Sequence, residues 1–559
     1  MSRDAIVFYV REWIDDTDFK TFLKFAKYLG KDYHGAKFVI DVNKLADSLR
    51  NKEISPADVL DLLAGYDVEF ERGSIEDVKR LVSSYIPVVI VAKDVDGIYL
   101  KPNFYIGDLI KDFREKNIII YNKDKKAFKI AKPMYFFDVL EHLKKRGIEV
   151  VNKTNIEKEL RLPIKISFKG DLREYQKEAL DAWRKNGFKG IIALPTGTGK
   201  TIIAIAAIAE LGVKTLIVTY TKEQMFQWGD KIVEFTDTPK SFIGFFYSSE
   251  KRVAPITIST YQSAYRYIDS LAHQFSLLVV DEVHHLPAEK FRAIAENTFA
   301  PMRMGLSATV VREDGKHIEL FPLMGGVVYA KTLQELADRG YVAPFKVTTV
   351  KVSLTEEEKK RYRELLDRYR KLARGREFNQ LLEDAKRGDA EAMEALKIRS
   401  EIRSLVANAK QKIDAIKKIV EEELAKGSKI LIFTQYVDQA KNIADQLATH
   451  YIVGELDENT RKRRLELFKS GLIRVLVLTT VGDEGIDIPD ANVGIIAAGT
   501  GSRRQFIQRL GRILRPAPGK EARLYEVVVK NTFEEAESRK RREALKMLFE
   551  DLITLSETY

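Results

Sequence analysis

A short apolar strand that runs through a glycine-threonine loop into an apolar helix constrains this chain more than any other stretch. Gly190-Ile191-Ile192-Ala193 leads into Leu194-Pro195-Thr196-Gly197-Thr198-Gly199-Lys200-Thr201, and Ile202 opens a helix rich in alanine and isoleucine. A strand without polar alternation is buried on both faces, which calls for a parallel sheet covered by helices. Gly197 and Gly199 let backbone N–H groups close around an anion, and the helix N-terminus adds the positive end of its dipole. The spacing predicts some nucleoside triphosphate in a cradle formed by Thr196, Gly197, Thr198 and Gly199. Lys200 is then expected to reach the β- and γ-phosphates and the Thr201 hydroxyl to hold Mg²⁺. Leu194 stands where the strict pattern has its first glycine.

With 559 residues the chain has room for about three or four domains, each able to bury a core. The formal net charge of +11 suits a polyanionic partner, nucleic acid among them, and is also compatible with simple solubility. The absence of cysteine excludes disulfides, thiolate zinc sites and cysteine-ligated iron–sulfur clusters. Apolar runs such as Pro87–Ala92 are too short to span a bilayer, and the N-terminal residues show no signal-peptide pattern. The expectation is a cytoplasmic protein, nucleoid-associated if prokaryotic, with no membrane partner.

Residues 1 to about 75 read as a helical or α+β module, with helical periodicity through Phe19, Phe22, Leu23 and Phe25 and one strand at Phe38–Val42. Residues 76–165 read as a second α+β domain of short hairpins, Val88–Ala92 with Gly97–Leu100 and Ile118–Tyr121 with Ala127–Ala131, closed by a helix at Tyr135–Arg146 and a strand at Glu149–Val151. Strands at Thr215–Val218, Ile256–Ile258 and Leu277–Val280 then alternate with helices, which predicts a parallel-sheet domain over 166–347. A second one occupies 348–559, with strands at Ile430–Phe433, Val475–Leu478 and Gly494–Ala497. Within it, about 355–409 is helical and dense in Lys, Arg and Glu, readable as a solvated hairpin or as an inserted clamp.

Leu277-Leu278-Val279-Val280-Asp281-Glu282-Val283-His284 is an apolar strand that ends in two carboxylates. In a parallel sheet such a strand delivers Asp281 to the carboxyl edge, where ligands bind. There Asp281 can hold Mg²⁺ and Glu282 can position and deprotonate an attacking water. His284 either couples hydrolysis to movement or packs at the strand end. Further along, Arg512 and Arg515 are three residues apart in Gln508-Arg509-Leu510-Gly511-Arg512-Ile513-Leu514-Arg515 and share a helical face. Two guanidinium groups suit the charge that develops on a transferring γ-phosphoryl group.

In this order the stretches resemble the motifs of superfamily 2 helicases. Thr196–Thr201 is similar to motif I, Asp281–His284 to motif II (a DEVH box), Ser307-Ala308-Thr309 to motif III, Thr479–Pro489 with Gly485 and Asp487 to motif V, and Gln508–Arg515 to motif VI. Arg173-Glu174-Tyr175-Gln176 resembles the adenine-reading segment, with Gln176 on the adenine edge. Arg312-Glu313-Asp314 after Ser-Ala-Thr resembles the RED motif of the XPB (xeroderma pigmentosum group B) family, and is also a serviceable turn into Gly315. Gly501-Ser502-Arg503-Arg504-Gln505 is similar to that family's lead-in to motif VI, the insertion at 355–409 to its thumb, and the domain at 76–165 to its damage-recognition region. The resemblance covers about 170–530 and implies two tandem RecA-like domains of α/β class, ATP between them, and a DNA substrate tracked 3′→5′ during nucleotide excision repair or transcription. The short chain resembles archaeal members in particular.

A strand-tracking motor holds phosphates without reading bases. Thr219, Thr221, Ser259, Thr260 and Thr480 stand at strand ends, similar in placement to the family's DNA contacts, although each is also a natural helix cap. Tyr261-Gln262 and Gln227-Trp228 are further candidates, with core packing as the alternative for Trp228. Rival readings are a duplex translocase that does not separate strands, an RNA helicase, and an ATP-switched clamp gated by a partner such as a repair nuclease. The role of Arg515 at the transferring γ-phosphoryl group is checked by Arg515→Ala, which should slow ATP turnover far more than it weakens ATP binding. An unchanged rate removes Arg515 from that role.

Overall fold

Seven strands whose residues are almost all buried form the first parallel sheet, in the spatial order Ile243–Phe246, Ile256–Thr260, Thr215–Thr219, Leu277–Asp281, Met302–Ser307, Lys189–Ala193 and Val327–Ala330. Every pairing in it is parallel. The crossovers are helices, among them Lys200–Leu211 and Lys222–Phe235, that cover the apolar faces. The structure is a computed structural model that describes residues 5–51, 53–84, 87–103, 106–308, 316–479, 491–498 and 522–546. The chain divides into two units, Met1–Ile156 and Glu157–Tyr559.

A second all-parallel sheet in the larger unit has the order Phe345–Val352, Ala522–Val529, Val493–Ile496, Ile430–Thr434, Val475–Thr479 and His450–Ile452. Alternate residues of its central strands serve opposite faces: Leu431 and Phe433 enter one core, Ile430 and Ile432 the other. Two parallel α/β sheets in tandem are the RecA-like arrangement expected. Because Phe345–Val352 belongs wholly to the second sheet, the boundary lies just before 345, slightly earlier than residue 347.

The charged insertion is three helices, Glu356–Ala373, Phe378–Lys386 and Ala390–Ala407. Thr355 starts the first with a reciprocal capping box to Glu358. Their charges face outward, while Leu365, Ile398 and Ile402 make one apolar seam and Ala373, Leu381, Ala392 and Ala395 another. Arg376 bridges Asp384 at 3.1 Å and Asp389 at 2.7 Å, fixing the turns around the middle helix. The insertion is therefore a packed helical subdomain, more than a solvated hairpin.

The smaller unit holds two sheets. The first, Ala26–Asp32, Gly35–Ile40, Val7–Val10 and Val68–Arg72, is antiparallel. Only one of its four strands was legible in sequence. Val7–Val10 is very short, and Ala26–Asp32 follows the helix Asp16–Phe25 without a break, so its polar residues read as more helix. The helix Ile75–Ser84 contributes Val78 and Val82 to this same core, so the first module runs to about 84 and not 75. The second sheet contains both expected hairpins, Val88–Asp94 with Gly97–Pro102 and Ile119–Asn122 with Ala127–Ile130, plus Glu149–Asn152 parallel to Val88–Asp94.

A buried ion pair anchors the last described helix, Phe533–Lys546, to the helix Lys410–Ala425. The Lys412 side chain is 0% exposed, and its Nζ lies 2.6 Å from Glu534 Oε1 while Glu534 Oε2 accepts the Val529 N–H at 3.0 Å. Removing one partner strands a buried charge, at a cost of about 3–5 kcal/mol. Lys412→Met should lower the melting temperature accordingly, and adding Glu534→Gln, which keeps an acceptor for Val529, should restore much of the loss. A single variant as stable as the parent contradicts this account.

Candidate active site

Three neighbouring strands of the first parallel sheet end together. Ala193 lies level with Ser307, and Asp281 with Leu306. The phosphate-type loop, the paired carboxylates and Ser307 thus share one carboxyl edge, where α/β sheets bind ligands.

Local geometry builds the loop. Gly197 and Gly199 have φ of 84° and 82°, a left-handed conformation that glycine adopts without a Cβ penalty. A Cβ on Gly199 would also come within 2.6 Å of Gln176 Nε2. Leu194, in place of the first glycine, is wholly buried and donates its N–H to the Ser307 carbonyl at 3.0 Å, so the loop begins inside the core. Thr198 is pinned by its hydroxyl to the Pro195 carbonyl at 2.7 Å. The Thr198 carbonyl accepts from Tyr175 Oη at 2.6 Å and Gln176 Nε2 at 3.0 Å. Gln176 Oε1 accepts the Arg173 N–H at 2.8 Å. Both ends of the amide expected to read adenine are therefore engaged by the protein, and Arg173 Nη1 reaches the Tyr341 carbonyl at 3.3 Å. Tyr175 tethering the loop was missed in sequence, where an aromatic beside Gln176 looks like ordinary core.

Lys200 starts the helix Lys200–Leu211, and its Nζ donates to the carbonyls of Leu194 at 2.7 Å and Pro195 at 3.2 Å. Burial pushes this ammonium below its ordinary pKa, opposed by the nearby Glu282 and Asp281 carboxylates. Thr196 Oγ1 is buried with no hydrogen-bond partner among the described residues. A cation and an unspent hydroxyl around left-handed glycines fit a polyphosphate, and the Thr201 hydroxyl with the Asp281 carboxylate is the hard-oxygen set that Mg²⁺ takes.

Asp281 closes the strand Leu277–Asp281. Its Oδ1 accepts the Glu282 N–H at 3.0 Å and its Oδ2 the Trp228 indole N–H at 2.9 Å. Glu282 has φ 49° and ψ 49°, a left-handed conformation costing a residue with a Cβ about 1–3 kcal/mol. The buried Tyr261 hydroxyl faces the carbonyls of Asp281 at 3.1 Å and Glu282 at 3.2 Å and steadies this turn. Tyr261 is thus an interior residue and not a surface contact. His284, buried in the turn Val283–His285, places Nδ1 3.0 Å from Ser307 Oγ and 3.3 Å from Glu282 Oε2, between the carboxylate turn and the next strand.

Among the candidate nucleic-acid contacts, Thr221 caps the helix Lys222–Phe235 by accepting from Gln224 N at 3.2 Å, and Thr260 caps Tyr261–Arg266 by accepting from Ser263 N at 3.4 Å. Thr219 and Ser259 are wholly buried, with their hydroxyls on backbone carbonyls, which removes them from the surface. Thr309, Arg312, Glu313, Asp314, Thr480, Gly485, Asp487, Arg512 and Arg515 lie outside the described residues.

Fold and site together define a P-loop ATPase of the helicase type, with two RecA-like domains and a DEVH turn at the edge of the first. The sequence profile described as "Type III restriction enzyme, res subunit" matches residues 169–312, and that described as "ERCC3/RAD25/XPB C-terminal helicase" matches 390–547. A "DNA 3'-5' translocase XPB2" of Sulfurisphaera tokodaii is 40% identical over 415 residues, 73% of this chain and 92% of that protein. A "Putative DNA 3'-5' helicase Rad25" of Halobacterium salinarum is 32% identical over 68% of this chain, which spans 58% of that protein. The "General transcription and DNA repair factor IIH helicase/translocase subunit XPB" of Enterocytozoon bieneusi is 28% identical over 89% of this chain and 79% of its own length. The chain belongs to the XPB family of superfamily 2 helicases.

Replacing the Glu282 carboxylate by an amide keeps the shape of the turn and removes the group expected to act as base. Glu282→Gln should bind ATP normally and hydrolyse it roughly 10²–10⁴-fold more slowly. Lys200→Ala should abolish turnover. Normal hydrolysis by Glu282→Gln overturns the base assignment.

Proposed function

We propose that ATP hydrolysis at this edge drives 3′→5′ movement along DNA, opening duplex DNA in nucleotide excision repair or transcription. The observation that carries the reading is the convergence of Lys200, Asp281 and Glu282 on one carboxyl edge, with His284 joining that turn to Ser307. The names of the relatives and the net charge of +11 support DNA as the track.

The residues divide the work. Lys200 neutralises the β- and γ-phosphates, and Glu282, held in its strained turn, takes a proton from the attacking water. Thr201 and Asp281 would hold Mg²⁺, which would supply charge neutralisation on the transferring phosphoryl group. Arg512 and Arg515, contributed by the second RecA-like domain, complete the charge when the domains close. Thr221 and Thr480 grip phosphates, Thr260, buried and capping its helix, positions the segment that follows it, and Arg312, Glu313 and Asp314 act at the point of strand opening. The insertion at 355–409 braces the duplex, and a repair nuclease is the kind of protein partner expected. A second reading, movement without strand separation, is favoured by the name "translocase" on the Sulfurisphaera relative. Among the described residues no helix is long and apolar enough to cross a membrane. The proposed action on DNA would take place in the cytoplasm or nucleoid.

The test is the steady-state ATPase rate alone and with single-stranded DNA, duplex DNA or RNA, using Glu282→Gln as the control. Stimulation by DNA and not RNA is expected, and opening of a forked duplex then separates helicase from translocase. No stimulation by any nucleic acid overturns the motor reading in favour of a partner-gated clamp.

A further inference from the structure

The helix Lys222–Phe235 carries a residue that the ATPase roles above leave unused. Trp228 lies about two turns into that helix and is 2% exposed. Its indole N–H points at Asp281, donating to Oδ2 at 2.9 Å from the helix to the end of a strand 53 residues further along the chain. The other oxygen, Oδ1, is already fixed by the Glu282 N–H at 3.0 Å. A carboxylate held by one donor on each oxygen cannot rotate without breaking a bond, and its remaining lone pairs are thereby aimed. Packing alone does not require a tryptophan here, because a phenyl ring fills apolar space equally without a donor. Such outer donors commonly set how well a ligating carboxylate holds its ion.

We infer that Trp228 is a positioning residue for Asp281, orienting that carboxylate toward the divalent cation that accompanies the nucleotide. The helix that carries it is capped by Thr221, so the same hydrogen bond ties the Asp281 carboxylate to the element that would carry this proposed DNA contact. The inference rests on Asp281 as a cation-holding residue and not on any nucleic acid.

The test uses the full chain without DNA. Affinity for a fluorescent ADP analogue is measured in EDTA and across a Mg²⁺ titration for the parent, Trp228→Phe, and a variant with benzothienylalanine at 228, which keeps the bicyclic shape and lacks the N–H. Expected is unchanged affinity in EDTA in both variants, with half-saturation by Mg²⁺ raised about tenfold or more. The Mg²⁺ dependence of ATP hydrolysis should shift by the same factor while KM for ATP at saturating Mg²⁺ holds. If Trp228→Phe fails to bind nucleotide in EDTA, the isosteric variant decides. Parent-like Mg²⁺ dependence in a variant with intact nucleotide binding overturns the proposal. A parent whose nucleotide affinity ignores Mg²⁺ instead overturns the assignment of Asp281 itself.

Discussion

Parallel pairing on both sides of Met302–Ser307 determines the geometry of the whole site. That strand aligns Ala193 with Ser307 on one flank and Asp281 with Leu306 on the other, so loop and carboxylates end at nearly the same height. A register slip would turn every side chain of the slipped strand to the opposite face. Burial on both faces would not by itself resist that exchange; groups fitted to one place do, such as the buried Arg303, which donates to the carbonyls of Ala295, Thr298 and Leu323, and Gly305, where a Cβ would come within 3.0 Å of Ile191. The precision of the chemistry is thus inherited from packing well below it.

Above the edge, the polar groups form a chain of small dependencies. Tyr175 and Gln176 share the Thr198 carbonyl, Lys200 rests on the carbonyls of Leu194 and Pro195, and Tyr261 spans the carbonyls of the carboxylate turn. Few of these bonds join groups of like function. Most join a residue that meets substrate to one that never does. In the proposed role, phosphate binding would draw Lys200 from its two backbone acceptors, exchanging neutral partners for charged oxygens that bind an ammonium more strongly.

Much of this could be read beforehand, for definable reasons. The two parallel sheets announce themselves as unbroken apolar strands separated by helices, and the loop and the Asp281–Glu282 pair sit at fixed places relative to them. The first four-stranded sheet was mostly hidden, because Val7–Val10 is too short to show alternation and Ala26–Asp32 carries a polar pattern continuous with a helix. Tyr175 and Trp228 were hidden for another reason: a buried aromatic with a polar tip is read as core, and the sequence does not say where its N–H or O–H points. Tyr261 was read as a nucleic-acid contact, yet it is buried with its hydroxyl on the carbonyls of the carboxylate turn. Thr219 and Ser259 erred in that same direction: a hydroxyl at a strand end suggests a surface, yet these spend theirs on neighbouring carbonyls.

The spatial order of the first sheet also bears on how the chain is made. Lys189–Ala193 is the first of the seven strands in sequence, yet its two partners, Met302–Ser307 and Val327–Ala330, are the last. During synthesis the loop strand therefore emerges well before either neighbour and must wait with both hydrogen-bonding edges open. Unpaired apolar edges are what chaperones capture and aggregates recruit. An emerging or truncated chain that stops short of Met302 can carry every residue of the loop and the carboxylate turn without the strand that aligns them, so ATP-binding competence arrives late in translation and nearly all at once.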